Sequence, residues 1–266
     1  MIQIYPKISI VTPSYNQAKF LEQAIRSVID QNYPNFEHII FDNCSTDGSV
    51  DILKKYPHLI WISEPDQGQS DALNKGFRKA SGEFVGWLNA DDRYMPNCFY
   101  SVVRTFEDRP GYDLLYGNYR WIDENGNLIK LRREIDFDLF IFKYLHVTYI
   151  PSTTTFFKRA IFDENNFLNI DYKLANDFEL FLRLALKRYR FIHLGLFLAD
   201  YRWHAQSKSE LNKDRQIKEK EEALLLHDKA MQKVYQPIRP VVRFLFMLAA
   251  RTKRALYKTI NFIYLV

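Results

Sequence analysis

Two adjacent carboxylates, Asp91 and Asp92, follow the apolar run Phe84-Val85-Gly86-Trp87-Leu88 after only Asn89 and Ala90. Paired carboxylates in a turn have two common uses. They offer hard oxygen ligands to Mg2+ or Mn2+, or one caps a helix while its neighbour stands in water. Three further polar segments, Thr12-Pro13-Ser14-Tyr15-Asn16, Asp42-Asn43-Cys44-Ser45-Thr46-Asp47-Gly48 and Glu64-Pro65-Asp66-Gln67-Gly68, also sit just past apolar runs. The sequence holds no GxGxxG after its first apolar run and no GxxxxGK[ST], so glycine-rich backbone cradles for phosphate are disfavoured. A nucleotide bound near these segments needs another counter-charge for its diphosphate, and a cation held by carboxylates supplies one.

The elements that must position these residues alternate. Residues 8–12, 36–42, 60–63 and 84–88 are short, apolar and β-branched, whereas 20–31, 49–55 and 70–80 carry helical spacing. Strand and helix in alternation predict parallel pairing with right-handed crossovers, hence a doubly wound, mostly parallel sheet flanked by helices. Ligands in such sheets bind beyond the carboxyl ends of the strands, where the four polar segments converge. After residue 110 the pattern loosens. Strands are expected over 114–118, 153–157 and 191–201, a hairpin over 121–131 turning at Glu124-Asn125-Gly126-Asn127, and helices over 136–143, 178–187 and 208–233.

With 266 residues, 47% of them hydrophobic, the chain can bury a substantial core. Its formal charge of +5 is unevenly placed: eight Lys or Arg and no Asp or Glu occur from Lys229 onward, leaving residues 1–228 net acidic. The basicity belongs to the tail, which argues against a nucleic-acid-binding core. The two cysteines, Cys44 and Cys98, suggest neither a disulfide framework nor a zinc site. Residues 1–7 lack the pattern of a signal peptide, predicting retention in the cytoplasm. After Pro237 and Pro240, apolar clusters alternate with Arg243, Arg251, Lys253, Arg254 and Lys258, in runs far short of the ~20 apolar residues that span a bilayer. Two readings stay open. The tail is a helix lying peripherally on an anionic leaflet, at the inner face of the cell membrane, or a helix packed on the protein's own core with a solvated basic face.

Taken in order, Ser9 to Asn16, Asp42 to Ser49, Gly68 to Gly76, Gly86 to Asp92 and Asn176-Asp177 resemble the family 2 glycosyltransferases, inverting enzymes with the nucleotide-diphospho-sugar transferase (GT-A) fold. The resemblance covers roughly residues 7–209. It implies a GT-A domain over 1–208 and a helical, basic C-terminal extension over 209–266. It also implies a nucleotide-sugar donor with UDP as the expected carrier, a glycan or lipid-linked saccharide acceptor, Mn2+ or Mg2+ as cofactor, and a place in cell-surface polysaccharide biosynthesis.

Residue by residue, Thr12, Pro13 and Tyr15 match the loop that contacts base and ribose, and Asp42 matches the acid that binds the uracil edge. Asp71 opens a helix beside the nucleotide. Asn89, Ala90 and Asp91 align with the family's Asp-X-Asp, with neutral Asn89 in the first place, so the resemblance assigns the metal to Asp91 with Asp92 in support. Asp177 falls where the family keeps its catalytic base, which takes the acceptor's proton. Tyr201-Arg202-Trp203-His204 resembles a late segment in which the His reaches metal or diphosphate and Arg202 pairs with the diphosphate. Each has a plainer reading: Tyr15 as packed loop aromatic, Asp42 and Asp177 as caps, Asp71 as complement to a helix dipole, His204 as structural. A sugar-phosphate nucleotidyltransferase and a non-catalytic nucleotide-sugar-binding module remain the competing functions.

Overall fold

The computed structural model describes residues 5–145, 149–204, 212–234 and 236–261. Its first half follows the alternation in the sequence: β1 (Ile8–Ser14), α1 (Ala18–Ile29), β2 (Phe36–Asp42), α2 (Ser49–Lys54), β3 (Leu59–Ser63), α3 (Gln69–Lys79) and β4 (Phe84–Trp87). Then come β5 (Arg93–Tyr94), α4 (Cys98–Asp108), β6 (Leu114–Ile122), β7 (Leu128–Arg132), α5 (Leu139–Tyr144), a 3-10 turn (Ser152–Thr154), β8 (Phe156–Lys158), α6 (Ala160–Asp163), α7 (Asn176–Leu186) and β9 (Phe191–Arg202). Helices α8 (Lys213–His227), α9 (Lys229–Gln232) and α10 (Arg239–Ile260) close the described chain.

One sheet runs β3-β2-β1-β4-β8-β6-β9-β5, with β7 paired to β6. Strands β3, β2, β1 and β4 are parallel, as expected. The second half is mixed: β8 is antiparallel to both β4 and β6, while β6 and β9 run parallel. Alternate residues of β1 serve opposite faces. Ile8 and Ile10 join Ala24, Val28, Phe99 and Phe106 on the side of α1 and α4, while Val11 joins Leu73, Phe77 and Phe181 on the side of α3 and α7. Burial on both faces accounts for the nearly continuous apolar character of these strands.

Two expectations shift at their boundaries. The segment expected as a strand over 153–157 begins as a 3-10 turn. The amide of Thr154 (3.1 Å) and the hydroxyl of Thr155 (2.9 Å) both donate to the carbonyl of Pro151, a local alternative to ladder pairing. The helix expected from 136 starts at Leu139, capped by the Asp138 carboxylate, which accepts from the Ile141 amide at 2.9 Å.

The tail packs on the domain with one face only. Ala250 is buried, Phe246 stands 4.8 Å from the Tyr144 ring, and Arg254 pairs with the buried Glu134. Tyr257 donates to Asp136 at 2.7 Å. Outward, Val241, Phe244, Leu245, Leu248, Leu256 and Ile260 are exposed along α10. No helix among the described residues is long and apolar enough to cross a membrane. The expected boundary at 208/209 and the last residues of the tail, 262–266, lie outside the described residues.

Helix α3 reaches β1 through a glycine. A Cβ built on Gly76 would stand 2.2 Å from Val11 Cγ1. In a free helix Gly→Ala gains about 1 kcal/mol, but overpacking costs about 1–3 kcal/mol, so here the contact decides the sign. Gly76→Ala is expected to lower the urea midpoint, and adding Val11→Ala, which makes room for the new methyl, to restore part of the loss.

Candidate active site

The carboxyl ends of β1, β2, β3 and β4 converge, and side-chain bonds between their loops hold the rim. The N-terminus of α1 has no cap of its own; Asp47 reaches across from the second loop to accept from the Ala18 amide at 2.9 Å. Asn16 accepts from the Thr46 amide at 2.9 Å, and Asn43 from the Asp66 amide at 2.9 Å. Loop is thus tied to loop along the edge of the sheet.

Beneath this rim lies a cavity of about 280 Å3, lined in part by Pro13, Tyr15, Asn89, Ala90, Asp91, Asp177 and His204. The structure therefore brings seven of the residues singled out in the sequence to one place, drawn from the ends of β1, β4 and β9 and the start of α7. Four others lie apart from its lining. Thr12 is buried, with its hydroxyl 2.9 Å from His38 Nε2. Asp42 accepts from the Ser45 amide at 2.9 Å and the Ser63 hydroxyl at 2.7 Å, the bonding of a turn cap. Asp71 accepts from the Gln67 amide at 3.1 Å and stands 3.5 Å from Lys75 Nζ, within the first turn of α3. Arg202 is 1% exposed. Its guanidinium donates to the carbonyls of Asp91 (2.8 Å), Asp123 and Glu124 (both 3.0 Å) and to Gln23 Oε1 (2.8 Å), so it clamps the Asp91 turn to α1 and to the tip of the β6–β7 hairpin.

The turn after β4 separates its two carboxylates. Asp91 lines the cavity with its side chain 25% exposed, and its Oδ2 stands 3.0 Å from His204 Nε2. Asp92 points inward, 2% exposed, and accepts from the Arg202 amide at 2.8 Å, from Asn89 Nδ2 at 3.0 Å and from the Thr153 hydroxyl. Burial, then the charge of Asp91, pushes the Asp92 carboxyl up to about 8, while those three donors hold it down. Asn89 is equally engaged. Its Oδ1 accepts from Trp87 Nε1 and Gln69 Nε2, both at 2.9 Å, and its amide reaches Asp92 and Thr153.

A divalent cation fits this donor set. Asp91 and His204 converge on the cavity, and no group of three or more His, Cys, Asp or Glu side chains suited to a metal occurs among the described residues. A site with so few protein donors suits a cation that takes its remaining oxygens from substrate phosphates and water, as Mg2+ commonly does.

Across the cavity, Asp177 starts α7. Its Oδ1 accepts from the Phe178 amide at 2.7 Å, and Asn176 beside it donates to Ser70 at 2.9 Å. Burial raises the Asp177 carboxyl above the ordinary carboxylate range, opposed by the charge of Lys220. Sequence reasoning missed Gln69, Lys173 and Gln216, which also line the cavity. Gln69 lay within a segment already singled out, whereas nothing local marked Lys173 or Gln216.

Comparisons with known proteins bear on the family and the fold. The profile of Glycosyl transferase family 2 matches residues 9–165. TuaG of Bacillus subtilis, provisionally named a teichuronic acid biosynthesis glycosyltransferase, is 40% identical over 95 residues, which is 34% of this chain and 37% of TuaG. An uncharacterised glycosyltransferase of Methanocaldococcus jannaschii is 30% identical over 74% of this chain and 71% of its own. Among solved structures, the mannosyltransferase PcManGT from Pyrobaculum calidifontis, in complex with GDP-Man and Mn2+, superposes with a TM-score of 0.64 at 18% identity, covering 95% of this chain and 76% of its own. Residues 1–349 of S. aureus TarS in complex with UDP give 0.59 at 19% identity, over 92% and 80%. At such identities the likeness concerns the fold. The sheet is of the GT-A type that these glycosyltransferase structures share. Within that class, the chain belongs to glycosyltransferase family 2.

Removing the Asp92 carboxylate leaves buried donors without an acceptor, at about 1–3 kcal/mol for each group left unsatisfied. Asp92→Ala is expected to lose about 2–4 kcal/mol in urea denaturation, whereas Asp91→Asn, in metal-free buffer, stays within about 0.5 kcal/mol of wild type.

Proposed function

We propose that this protein moves a sugar from a nucleoside-diphosphate donor, UDP-linked, to a hydroxyl of a glycan or lipid-linked acceptor with inversion at the anomeric carbon, in the assembly of a cell-surface polysaccharide. The observation that carries this reading is the placement of two carboxylates with different environments, Asp91 and Asp177, in one cavity. The names of the relatives and the nucleotide ligands of the solved neighbours support the substrate class.

Asp177 is the base. The acceptor hydroxyl gives its proton to the Asp177 carboxylate as its oxygen attacks the anomeric carbon. The bond to the diphosphate oxygen breaks, and its electron pair leaves with the nucleoside diphosphate. A carboxylate raised by burial is a stronger proton acceptor than one in water, and the charge of Lys220 opposes that rise. Asp91 and His204 would hold the cation, Mn2+ or Mg2+, and Asp92, Asn89 and Arg202 fix the turn that presents Asp91. When bound, the cation supplies Lewis-acid stabilisation of the departing diphosphate. Pro13, Tyr15, Asn89 and Ala90 border the donor, and Asp42 and Asp71 keep its nucleotide loops in shape.

The reaction takes place at an anionic membrane face, where lipid-linked acceptors reside. The outward stripe of α10, from Val241 through Phe244, Leu245 and Leu248 to Leu256 and Ile260, lies on a segment with no acidic residue and with exposed Arg251. An apolar stripe edged by basic residues suits the headgroup region of an anionic leaflet.

Three outcomes are expected. In a thermal-shift panel, UDP should raise the midpoint with Mn2+ present and much less without it, and Asp91→Asn should abolish the difference. Asp177→Asn should bind UDP as wild type does but lose transfer at least 100-fold, while NMR of the wild-type product should show the inverted anomer; retention of configuration would sink the mechanism. In sedimentation with anionic vesicles, the triple change Phe244→Asp, Leu245→Asp, Leu248→Asp should cut binding at least tenfold, as three exposed apolar side chains contribute on the order of several kcal/mol.

A further inference from the structure

Helix α8 lies beyond the family-matched residues 9–165, yet it reaches the cavity. The backbone before α7 has a capping problem, because its N-cap residue is Ala175, which has no side-chain acceptor. Glu219 of α8 supplies one. Its Oε2 accepts from the amides of Lys173 at 3.0 Å, Leu174 at 2.8 Å and Ala175 at 3.1 Å. Its other oxygen accepts from Arg215 Nε at 3.1 Å, one turn earlier, and the residue is 6% exposed. Gln216 donates to the Leu174 carbonyl at 3.0 Å and lines the cavity itself. Lys220, 8% exposed, places its ammonium 5.8 Å from the centre of the Phe178 ring, next to Asp177, and its charge opposes the effect of burial on that carboxyl. One face of α8 thus holds residues 173–177 by hydrogen bonds and by charge.

We propose that Glu219 is a positioning residue for the transfer reaction, fixing through three backbone amides the segment that presents Asp177, with Lys220 beside it as the cation that α8 sets against that segment. This rests on Asp177 being the base. Three amides converging on one oxygen leave the segment little freedom, and a displacement of about 1 Å in a reacting group can cost on the order of 100-fold in rate. Other charged groups border the same cavity: Lys173 on the held segment, Asp66 and Asp91 on the rim loops, and His204. Glu179, two residues further along α7, is engaged with Arg183 and His227.

The test uses the full-length protein and turnover of whichever UDP-, GDP- or dTDP-sugar the wild type consumes, read as nucleoside diphosphate release. Glu219→Ala is expected to lower kcat about 10- to 100-fold with donor KM and UDP affinity within about twofold. Glu219→Gln, which keeps one oxygen acceptor, should recover most of that loss. Amide exchange of residues 173–175 should accelerate at least tenfold in Glu219→Ala while β1–β4 stay protected. Lys220→Met should move the acidic limb of the kcat/KM profile to higher pH, because Asp177 then loses the charge that opposes its burial; Lys220→Arg should leave the limb in place. Unchanged kcat and exchange in Glu219→Ala, or an unmoved limb in Lys220→Met, would overturn the proposal. Should Glu219→Ala not fold, the Gln variant and the Lys220 pair decide it. If Asp177→Asn retains full transfer, the base assignment fails on its own, and a kcat loss in Glu219→Ala would then report on some other group of the segment.

Discussion

A buried carboxylate must be paired, and in this protein that requirement organises the site. Asp92 lies almost wholly out of water, so its oxygens draw donors from its own turn, the Asn89 amide, and from two distant parts of the chain, the Thr153 hydroxyl in the 3-10 turn and the Arg202 backbone at the end of β9. Those bonds join the parallel half of the sheet to its mixed half at the point where Asp91 faces the cavity. Arg202 completes the arrangement, since its side chain clamps the same turn to α1 and to the β6–β7 hairpin. Asp91 is left partly exposed because its neighbours bear the structural load. Of the two adjacent carboxylates, the buried one thus holds the turn and the exposed one lines the cavity.

What the sequence reveals follows from how local each signal is. Strands β1 to β4 are buried on both faces and separated by helices with clear spacing, so composition and period disclosed their order and parallel sense. Beyond residue 110, pairing becomes antiparallel through β8, only three residues long, and no periodicity can mark so short an element. The polar rim was visible because it follows from the strand ends. The bonding of its members was not. Asp42 and Asp71 have the same residue type as Asp91, and only tertiary contacts separate the carboxylates that hold loops from the one that lines the cavity. Arg202 drew attention as a cation near a diphosphate; the structure occupies its donors with carbonyls and Gln23, partners that lie up to 179 positions away in the chain.

The tail shows that two readings of an amphipathic pattern need not compete. Along α10, Ala250, Arg254 and Lys258 turn inward, where Glu134 draws both cations, while the apolar side chains between them face outward. A helix pinned by its charges and exposing its hydrophobic residues inverts the usual arrangement of a surface helix. The inversion explains why charge and hydropathy, read along the sequence, did not decide between packing and exposure.

The reach of α8 into the cavity also bears on what the unit of this enzyme is. The segment matched by the family profile, residues 9–165, contains the nucleotide rim and the Asp91 turn but ends before Asp177, Arg202 and Glu219. The matched portion and the portion beyond it are therefore one structural unit, bound by side chains that cross the cavity. On the proposed function, a change in the C-terminal portion acts on the reaction through its grip on loops that it does not encode.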